Sequence, residues 1–193
     1  MKIECINVMN SPHYREYIKK IVNECDNEFF PPLSARGGTT EKQLRNKVSQ
    51  YNGVDAYIND LLKQVNIFAS NEDGILMGFM SIIHDRQDEP IFHLSHPGTH
   101  NYISTVCVDK KHRRLGICSA LYDFVENELP HEFTSGFTST RTWCGNKSHI
   151  ILLEKRGYEH IHTIENDRNH NGETANTVFY VKKNKPIAEG YYA

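Results

Sequence analysis

The segment 102–120 constrains the fold more than any other part of the chain, because three structural signals follow one another in it. Tyr102–Val108 (YISTVCV) is rich in β-branched residues and predicts a buried strand. A short basic turn containing Gly116 comes next, and helical spacing of apolar residues begins directly after it. Unpaired backbone N–H groups, two arginines and the positive end of a helix dipole therefore meet at one place. Such a place binds phosphate or pyrophosphate, which predicts a nucleotide-type cofactor.

The turn itself reads Arg113-Arg114-Leu115-Gly116-Ile117-Cys118, and this hexamer resembles the acyl-CoA-binding signature of the GNAT superfamily of N-acyltransferases. That signature has Arg or Gln, two residues, Gly, one residue, and then Gly or Ala. Cys118 departs from it at the last position, where a small side chain still allows a close but tighter backbone approach. The hexamer alone is weak evidence, because short glycine motifs often match by accident.

A second match lies downstream, in the order that the family has. The segment Asn146–Tyr158 (NKSHIILLEKRGY) resembles the later family motif, an Asn before a helix that ends in Glu-Lys, one residue, Gly and an aromatic residue. A strand is predicted between the two motifs, and together they span about the C-terminal half of the chain. On these residues the chain is identified as a member of the GNAT superfamily, which implies an acetyl-CoA-dependent N-acetyltransferase.

The order of predicted elements agrees with the fold of that family. We expect a single N-acetyltransferase-like domain over residues 1–193, of α+β class in three α/β/α layers. Its mixed, mostly antiparallel sheet would contain a central splayed parallel strand pair and carry helices on both faces. Strands are predicted near 2–8, 65–70, 75–84, 102–108, 136–144, 158–165 and 175–183. Helices are predicted after Ser11, after Thr40 (with Gln43 as a capping box), after Gly53, at 115–129 and from Asn146 to Lys155. Residues 85–100 are predicted to form a polar, histidine-rich loop.

Composition excludes several classes of protein. The chain of 193 residues has a formal net charge of −2 with both signs well mixed, which argues against an electrostatic nucleic-acid binder. The N-terminal residues show no signal-peptide core, and no apolar run is long enough to span a membrane, so we expect no membrane association. Five cysteines without a CxxC pair favour buried thiols in a reduced, cytoplasmic protein.

The resemblance implies which residues hold acetyl-CoA, the acyl donor and co-substrate. The expected cofactor contacts come from one strand, the basic turn and the start of a later helix: Val106, Cys107, Val108, Arg113, Arg114, Leu115, Gly116, Ile117, Cys118, Ser119 and Asn146. A bulge at 106–108 would splay this strand from its parallel neighbour and leave N–H groups for pantetheine and the thioester oxygen. Asn146 has a second candidate role as a helix N-cap, and both roles stay open.

The catalytic acid and base are not identified by the sequence. Many family members place a Tyr just before the Glu-Lys of the second motif as general acid, and this chain has Leu153 there. The CoA thiol, with a pKa near that of Cys (about 8.5), would leave with water as proton source. Alternatively the proton comes from a neighbour (Cys144, Ser148 or His149), or the protein binds acyl-CoA without turnover. Candidate bases for the amine are Tyr102, Ser104, His84, Asp85 and Glu28.

The sequence therefore predicts direct acetyl transfer from acetyl-CoA to a primary amine of an unidentified acceptor. The alternative is a non-catalytic GNAT-fold module that binds or senses acyl-CoA. Expected partners are a small-molecule amine or a peptide, and a homodimer, since dimers are common in the family; a longer acyl donor or an aminoacyl-tRNA acceptor stays open. No metal is expected, because a structural zinc site normally wants four ligands and the histidine-rich loop offers three, His93, His96 and His100, with no Cys nearby.

Overall fold

The computed structural model describes residues 1–8, 11–35, 53–86 and 90–184, and these residues form strands and helices in nearly the predicted order. The strands are β1 Lys2–Ile6, β2 Val65–Ser70, β3 Leu76–Ile83, β4 His100–Val108, β5 Phe137–Trp143, β6 Glu159–His170 and β7 Glu173–Lys183. The α-helices are α1 Pro12–Glu24, α2 Gly53–Leu61, α3 Pro90–Ser95, α4 Ile117–Asn127 and α5 Lys147–Lys155. The helix predicted after Thr40 lies outside the described residues.

One mixed sheet organises the described chain. Its strand order is β1-β2-β3-β4-β5-β7-β6, and β4 with β5 is the only parallel pair among the described strands. The connection from β4 to β5 carries α4, as a parallel crossover requires. The predicted class, a mostly antiparallel α+β sheet with one central parallel pair, is confirmed.

Helices cover both faces of this sheet, because successive strand residues point in opposite directions. Phe68 and Phe79 pack with α1 and α2 in one buried cluster. Ile67 and Met80, their direct neighbours in sequence, pack with α4 and Leu153 of α5 in another. The sheet therefore has an α1/α2 face and an α4/α5 face. No helix in the described ranges combines the length and apolar character needed to cross a membrane.

The segment 85–100 was predicted as a loop, and this prediction was wrong for residues 90–95 and for His100, while residues 87–89 lie outside the described residues. It contains α3 and the first residue of β4. Phe92 is buried against Tyr102 and Phe179, with ring centroids 5.8 and 5.7 Å away. Phe92 thus anchors a helix of only six residues, which is too short for apolar periodicity to reveal it in the sequence.

The hairpin of β6 and β7 is longer than predicted. The strands were predicted near 158–165 and 175–183, but they continue to a tight turn at Asn171-Gly172. The pairing register shifts between Ile164 and Arg168, so the polar residues form an irregularity within the strand. The hairpin therefore continues beyond the last β5–β7 pair, Trp143↔Thr177, as a two-stranded extension.

The end of α5 is fixed by a left-handed glycine and by an arginine. Gly157 has φ +79°, and the N–H of Tyr158 donates to the carbonyl of Leu153 at 3.0 Å, so a left-handed glycine caps the C-terminus of the helix. Arg156 reaches across to α4, where its Nε and Nη2 lie 3.0 Å from the two carboxylate oxygens of Glu126. Its Nη2 also lies 2.5 Å from Asp123 Oδ1. Lys182 of β7 approaches Glu126 at 2.6 Å, so one ionic cluster joins α4, α5 and the sheet.

Candidate functional site

The parallel strands β4 and β5 separate along their length. They pair from His100↔Phe137 to Ile103↔Thr140, and beyond that point β4 pairs only with β3 among the described strands. The Thr140 hydroxyl donates to the Ile103 carbonyl at 3.0 Å, at the point where the pairing ends. The edge of β4 that faces β5 is therefore left without strand pairing over residues 104–108. A polar chain that enters this opening can bind the exposed backbone groups.

A bulge lies where the two strands part. Ser81 pairs with Thr105 and Ile82 with Ile103, so Ser104 is the extra residue. The bulge was predicted at 106–108 and lies earlier, because those three residues pair regularly with β3. Their side chains alternate between the two core clusters, and an extra residue there would turn buried side chains to the wrong face.

Tyr57 of α2 contacts the bulge from the α1/α2 face, a role that sequence analysis did not predict. Its hydroxyl contacts the Thr105 hydroxyl and lies 3.4 Å from the Ser104 carbonyl. The Ser104 hydroxyl donates to the side chain of Gln64 and, at 3.1 Å, to the Ser81 carbonyl. These partners are separated by tens of positions along the chain, so no local pattern could have indicated them.

The basic turn has the backbone geometry of an anion site. Arg114 has φ +64° and Gly116, which precedes α4, has φ +77°. Left-handed residues in a short turn are typical of the backbone nests that bind anions. No side chain caps the first turn of α4, and a Cβ on Gly116 would meet no atom within 4 Å. The N–H groups at this helix start are thus open to a phosphate.

Cys118 follows the turn on the first turn of α4. Burial raises the pKa of its thiol to about 11, so the side chain is neutral at physiological pH. It packs beside the α4/α5 core cluster with Val106 and Val108. The departure from the family signature at this position therefore adds a packing residue and no nucleophile.

The two arginines of the turn behave differently. The Arg113 side chain leaves the helix start: its Nε donates to the Val108 carbonyl at 3.2 Å and its Nη2 lies 2.7 Å from Glu28 Oε1. The same Nη2 lies 3.6 Å from Cys25 Sγ. Arg114 and Leu115 are exposed, and the described residues provide no side-chain partner for the Arg114 guanidinium.

Asn146 lies between β5 and α5, as predicted, but its side chain does not cap the helix. Its Nδ2 donates to the Thr142 hydroxyl at 3.1 Å, and no cap hydrogen bond forms. Leu153, at the position of the family Tyr, is fully buried in the α4/α5 core. Leu153 is therefore a packing residue, and the side chain at this position has no proton to give.

His149, one of the neighbours considered as an alternative acid, is held between α4 and α5. Its Nε2 lies 2.7 Å from the Tyr122 hydroxyl. Burial lowers the pKa of His149 from 6.5 to about 4, so the ring is neutral at physiological pH. An imidazolium is therefore not available at this position to protonate a leaving thiolate.

This shift predicts an acid-sensitive stability. Between about pH 6.5 and 4 the unfolded chain binds a proton at His149 that the folded chain does not, so the free energy of unfolding falls as the pH falls. Lowering the pH from 7 to 5 should cost about 2 kcal/mol through this residue. Urea unfolding of the wild type and of His149→Gln at both pH values measures the effect. Equal losses in the two proteins would contradict it.

The candidate bases fall into two groups according to their position along the β4–β5 pair. Glu28 reaches the basic turn through Arg113, and Ser104 forms the bulge. Tyr102, His84 and Asp85 lie toward the end of the sheet where β4 and β5 are still paired. The Tyr102 ring is buried with the Arg86 guanidinium 4.0 Å from its centroid, and His84 Nδ1 lies 2.8 Å from Asn101 Oδ1. The structure thus brings only Ser104 and Glu28 to the open part of the strand pair.

The histidines of 85–100 do not converge on a common point. His93 Nε2 lies 2.8 Å from the Arg86 carbonyl, and His100 Nε2 lies 2.7 Å from the His96 carbonyl. Within the described ranges, no three His, Cys, Asp or Glu side chains are grouped to hold a metal ion. Their rings instead pack against each other and against Phe92 and Phe137.

The residues Cys25–Pro32, which we call the bridging segment, cross the α1/α2 face above the opening. The Phe29 ring packs on Tyr57 with centroids 5.9 Å apart, and the Phe30 ring packs on Trp143 of β5 at 5.5 Å. Arg168 of β6 donates to the Phe30 carbonyl at 2.8 Å. The segment therefore contacts elements on both sides of the splayed strands. Trp143 Nε1 is buried without a hydrogen-bond partner in the described part of the chain.

Gly145 is required by the position of Trp143. A Cβ on Gly145 would lie 1.8 Å from Cζ3 of the Trp143 ring, so Gly145→Ala should displace the indole. We expect a loss of about 1–3 kcal/mol in the free energy of unfolding. We also expect a shift in fluorescence, since Trp143 is the only Trp in the chain. Gly136→Ala is the matched control, because its nearest contact is 3.8 Å away. Unchanged fluorescence in Gly145→Ala would contradict the prediction.

A known protein family and several solved structures are similar to this chain. The family described as acetyltransferase (GNAT) matches residues 39–158, which include β4, the basic turn and α5. No curated protein matches the sequence significantly. The fold is similar to that of ribosomal-protein-alanine N-acetyltransferase from Brucella melitensis, with TM-score 0.64 and 16% identity over 95% of this chain and 99% of that one.

Two further solved structures share the fold. A protein from Salmonella typhimurium, solved with its cofactor acetyl-CoA, has TM-score 0.60 and 15% identity over 98% of this chain and 97% of that one. Spermidine N-acetyltransferase from Vibrio cholerae has TM-score 0.61 and 12% identity over 95% of each chain. At these identities the likeness concerns the fold and leaves the acceptor open.

Proposed function

The chain belongs to the acetyltransferase (GNAT) family, and we propose that it transfers the acetyl group of acetyl-CoA directly to a primary amine. Acetyl-CoA is the acyl donor. One observation carries the proposal: the opening between β4 and β5 lies beside a left-handed turn that exposes the N–H groups at the start of α4. A thioester arm and a pyrophosphate need these two features next to each other.

The donor would be held mainly by backbone groups. We assign the pyrophosphate to the backbone of the turn 113–119, with the N–H groups of Arg114, Gly116 and Cys118 as the main donors and the Ser119 hydroxyl as a further one. Leu115 and Ile117 belong to the same turn. The unpaired edge of β4 at 106–108 would bind pantetheine and polarise the thioester carbonyl. Asn146, whose side chain leaves the helix start uncapped, would contact the CoA arm from the far side of the opening.

The groups beside the opening determine how the acetyl group would be transferred. The neutral amine attacks the acyl carbon, the carbonyl oxygen gains charge beside the β4 N–H groups, and the C–S bond then breaks. Because Leu153 is a core residue and His149 is neutral, we propose that the sulfur leaves as thiolate and takes its proton from water. A CoA thiol, with a pKa near about 8.5, is an adequate leaving group. The amine loses its proton to solvent, so atoms and charge balance.

The acceptor would approach from the α1/α2 face, opposite the α4 side from which the donor enters. We propose a small-molecule amine or a peptide; the similar structures include a spermidine and a ribosomal-protein-alanine N-acetyltransferase, and those substrates belong to those proteins. The near-neutral charge of the chain disfavours a nucleic-acid acceptor. A homodimer and a cytoplasmic location stay predictions. The non-catalytic alternative rested on Leu153 alone and gains no support from the family match.

The proposal is tested by calorimetric titration of acetyl-CoA into the purified chain, with CoA as comparator. Saturable binding at one site supports it, and a panel of primary amines is then screened for thiol release. Acetyl-CoA binding together with amine-dependent thiol release would establish the transfer. Absence of binding to folded protein would sink the assignment of the basic turn, and binding without thiol release with any amine would favour the sensing module.

A further inference from the structure

The side chain of Arg113 points away from the site where the family signature would place a phosphate. Its guanidinium is held by the Val108 carbonyl, by Glu28 and by Cys25 Sγ, at 3.2, 2.7 and 3.6 Å. Two of these three partners belong to the bridging segment. To reach a phosphate at the start of α4, the side chain would have to give up all three contacts.

The adjacent Arg114 has the opposite environment. Its left-handed backbone is part of the turn, its side chain is exposed, and no described residue neutralises its charge. Guanidinium groups bind phosphate oxygens through charge-assisted hydrogen bonds. The two neighbouring arginines of the signature are therefore not equivalent.

The contacts of the bridging segment extend from Arg113 to the far side of the opening. Glu28 is followed by Phe29, which packs on Tyr57 at the bulge, and by Phe30, which packs on Trp143 of β5. The Phe30 ring also lies 6.4 Å from the ring of His170 in β6. A restraint on Glu28 thus restrains aromatic side chains that lie over the face from which we propose the amine approaches.

We propose that Arg113 is a positioning residue of the acceptor side, which holds the bridging segment over the opening, whereas Arg114 supplies the side chain that binds the phosphates of acetyl-CoA. The inference rests on the proposed function for the identity of the acceptor side and of the donor phosphates, whereas the restraint of the bridging segment by Arg113 does not depend on it. The Arg113–Glu28 pair is partly exposed and contributes little to global stability. Its effect is local, on the position of the rings that the bridging segment carries.

The test compares three full-length variants, Arg113→Gln, Glu28→Gln and Arg114→Gln. The first readout is acrylamide quenching of Trp143, which reports how well Phe30 covers the single indole of the chain. The second is the calorimetric affinity for acetyl-CoA. We expect Arg113→Gln and Glu28→Gln to raise the quenching constant about twofold with acetyl-CoA affinity changed less than about threefold. Arg114→Gln should leave quenching unchanged and weaken acetyl-CoA about tenfold, as the loss of a charge-assisted hydrogen bond predicts.

Coupling between the two partners gives an internal check. Because Arg113 and Glu28 act through one contact, the double variant should expose Trp143 no more than either single variant does. Arg113→Lys, which keeps the charge near Glu28, should restore part of the protection. Additive effects of the two substitutions would overturn the assignment.

The proposal is overturned if Arg113→Gln weakens acetyl-CoA as much as Arg114→Gln while Trp143 stays protected, since Arg113 would then be a phosphate ligand. If Arg113→Gln does not fold, Glu28→Gln decides alone, because it retains both arginines. The quenching readout needs no cofactor. Failure of the wild type to bind acetyl-CoA would therefore count against the proposed function and leave the positioning role to be judged on Trp143.

Discussion

Replacing Gly116 with Glu is expected to reduce acetyl-CoA affinity at least about 100-fold, or about 2.7 kcal/mol, in a chain that still folds. The open space beside Gly116 accommodates the new side chain, so no core contact is lost. The carboxylate would stand where the pyrophosphate binds and would repel it, and the φ of +77° adds backbone strain of about 1–2 kcal/mol. Calorimetric titration of acetyl-CoA measures the loss.

Gly74→Glu is the matched control for this experiment. Gly74 has φ +78° and equally open surroundings, but it lies in the turn between β2 and β3. The substitution imposes the same strain and the same change in charge in a loop outside the basic turn, so acetyl-CoA affinity should equal that of the wild type. A Gly116→Glu protein that binds within threefold of this control would show that the turn does not hold the donor.

Replacing Arg156 with Met should lower the free energy of unfolding by about 3–5 kcal/mol, the largest stability effect that we expect from a single substitution of a charged residue. The side chain of Arg156 is 14% exposed and that of Glu126 10%. Removing the guanidinium leaves the Glu126 carboxylate largely buried with Lys182 as its remaining ionic partner in the described chain. It also severs the link between the end of α5 and α4. Urea unfolding at neutral pH gives the value.

Lys63→Met provides the contrast. Lys63 pairs with Asp60 at 3.1 Å, but both side chains are about 70% exposed, at 71% and 70%. Water screens such a pair, so its loss should cost less than about 1 kcal/mol. If the Arg156 and Lys63 variants were destabilised equally, burial of the α4–α5 cluster would not be the source of its strength.

Local signals in the sequence were sufficient to predict the strands and helices around the basic turn. Gly116 and Gly157 occupy left-handed positions that few other residues adopt. Asn146 and Gly157 predict the two ends of α5, and the helix begins and ends between them. The strand–turn–helix order predicted the parallel pair, because a crossover with a helix leaves few other arrangements.

Side-chain directions could not be predicted in the same way. The sequence presents Arg113 and Arg114 as a pair, and only the fold shows that one turns to Glu28, 85 positions earlier in the chain. The contact of Tyr57 with the bulge and that of Phe30 with Trp143 are likewise long-range. Such contacts depend on how α1 and α2 lie on the sheet, which no local pattern encodes.

The separation of β4 from β5 has a mechanical consequence. Four register pairs, His100–Ile103 with Phe137–Thr140, are the only strand pairing in the described chain between the β1–β4 and β5–β7 halves of the sheet. A donor lodged in the opening would act as a missing strand that ties both halves together. Donor binding would then raise the free energy of unfolding by about 2.7 kcal/mol at a ligand concentration 100 times the Kd. Amide exchange near the open ends of β4 and β5 should therefore slow with donor occupancy, which makes the cofactor a structural member of its own binding site.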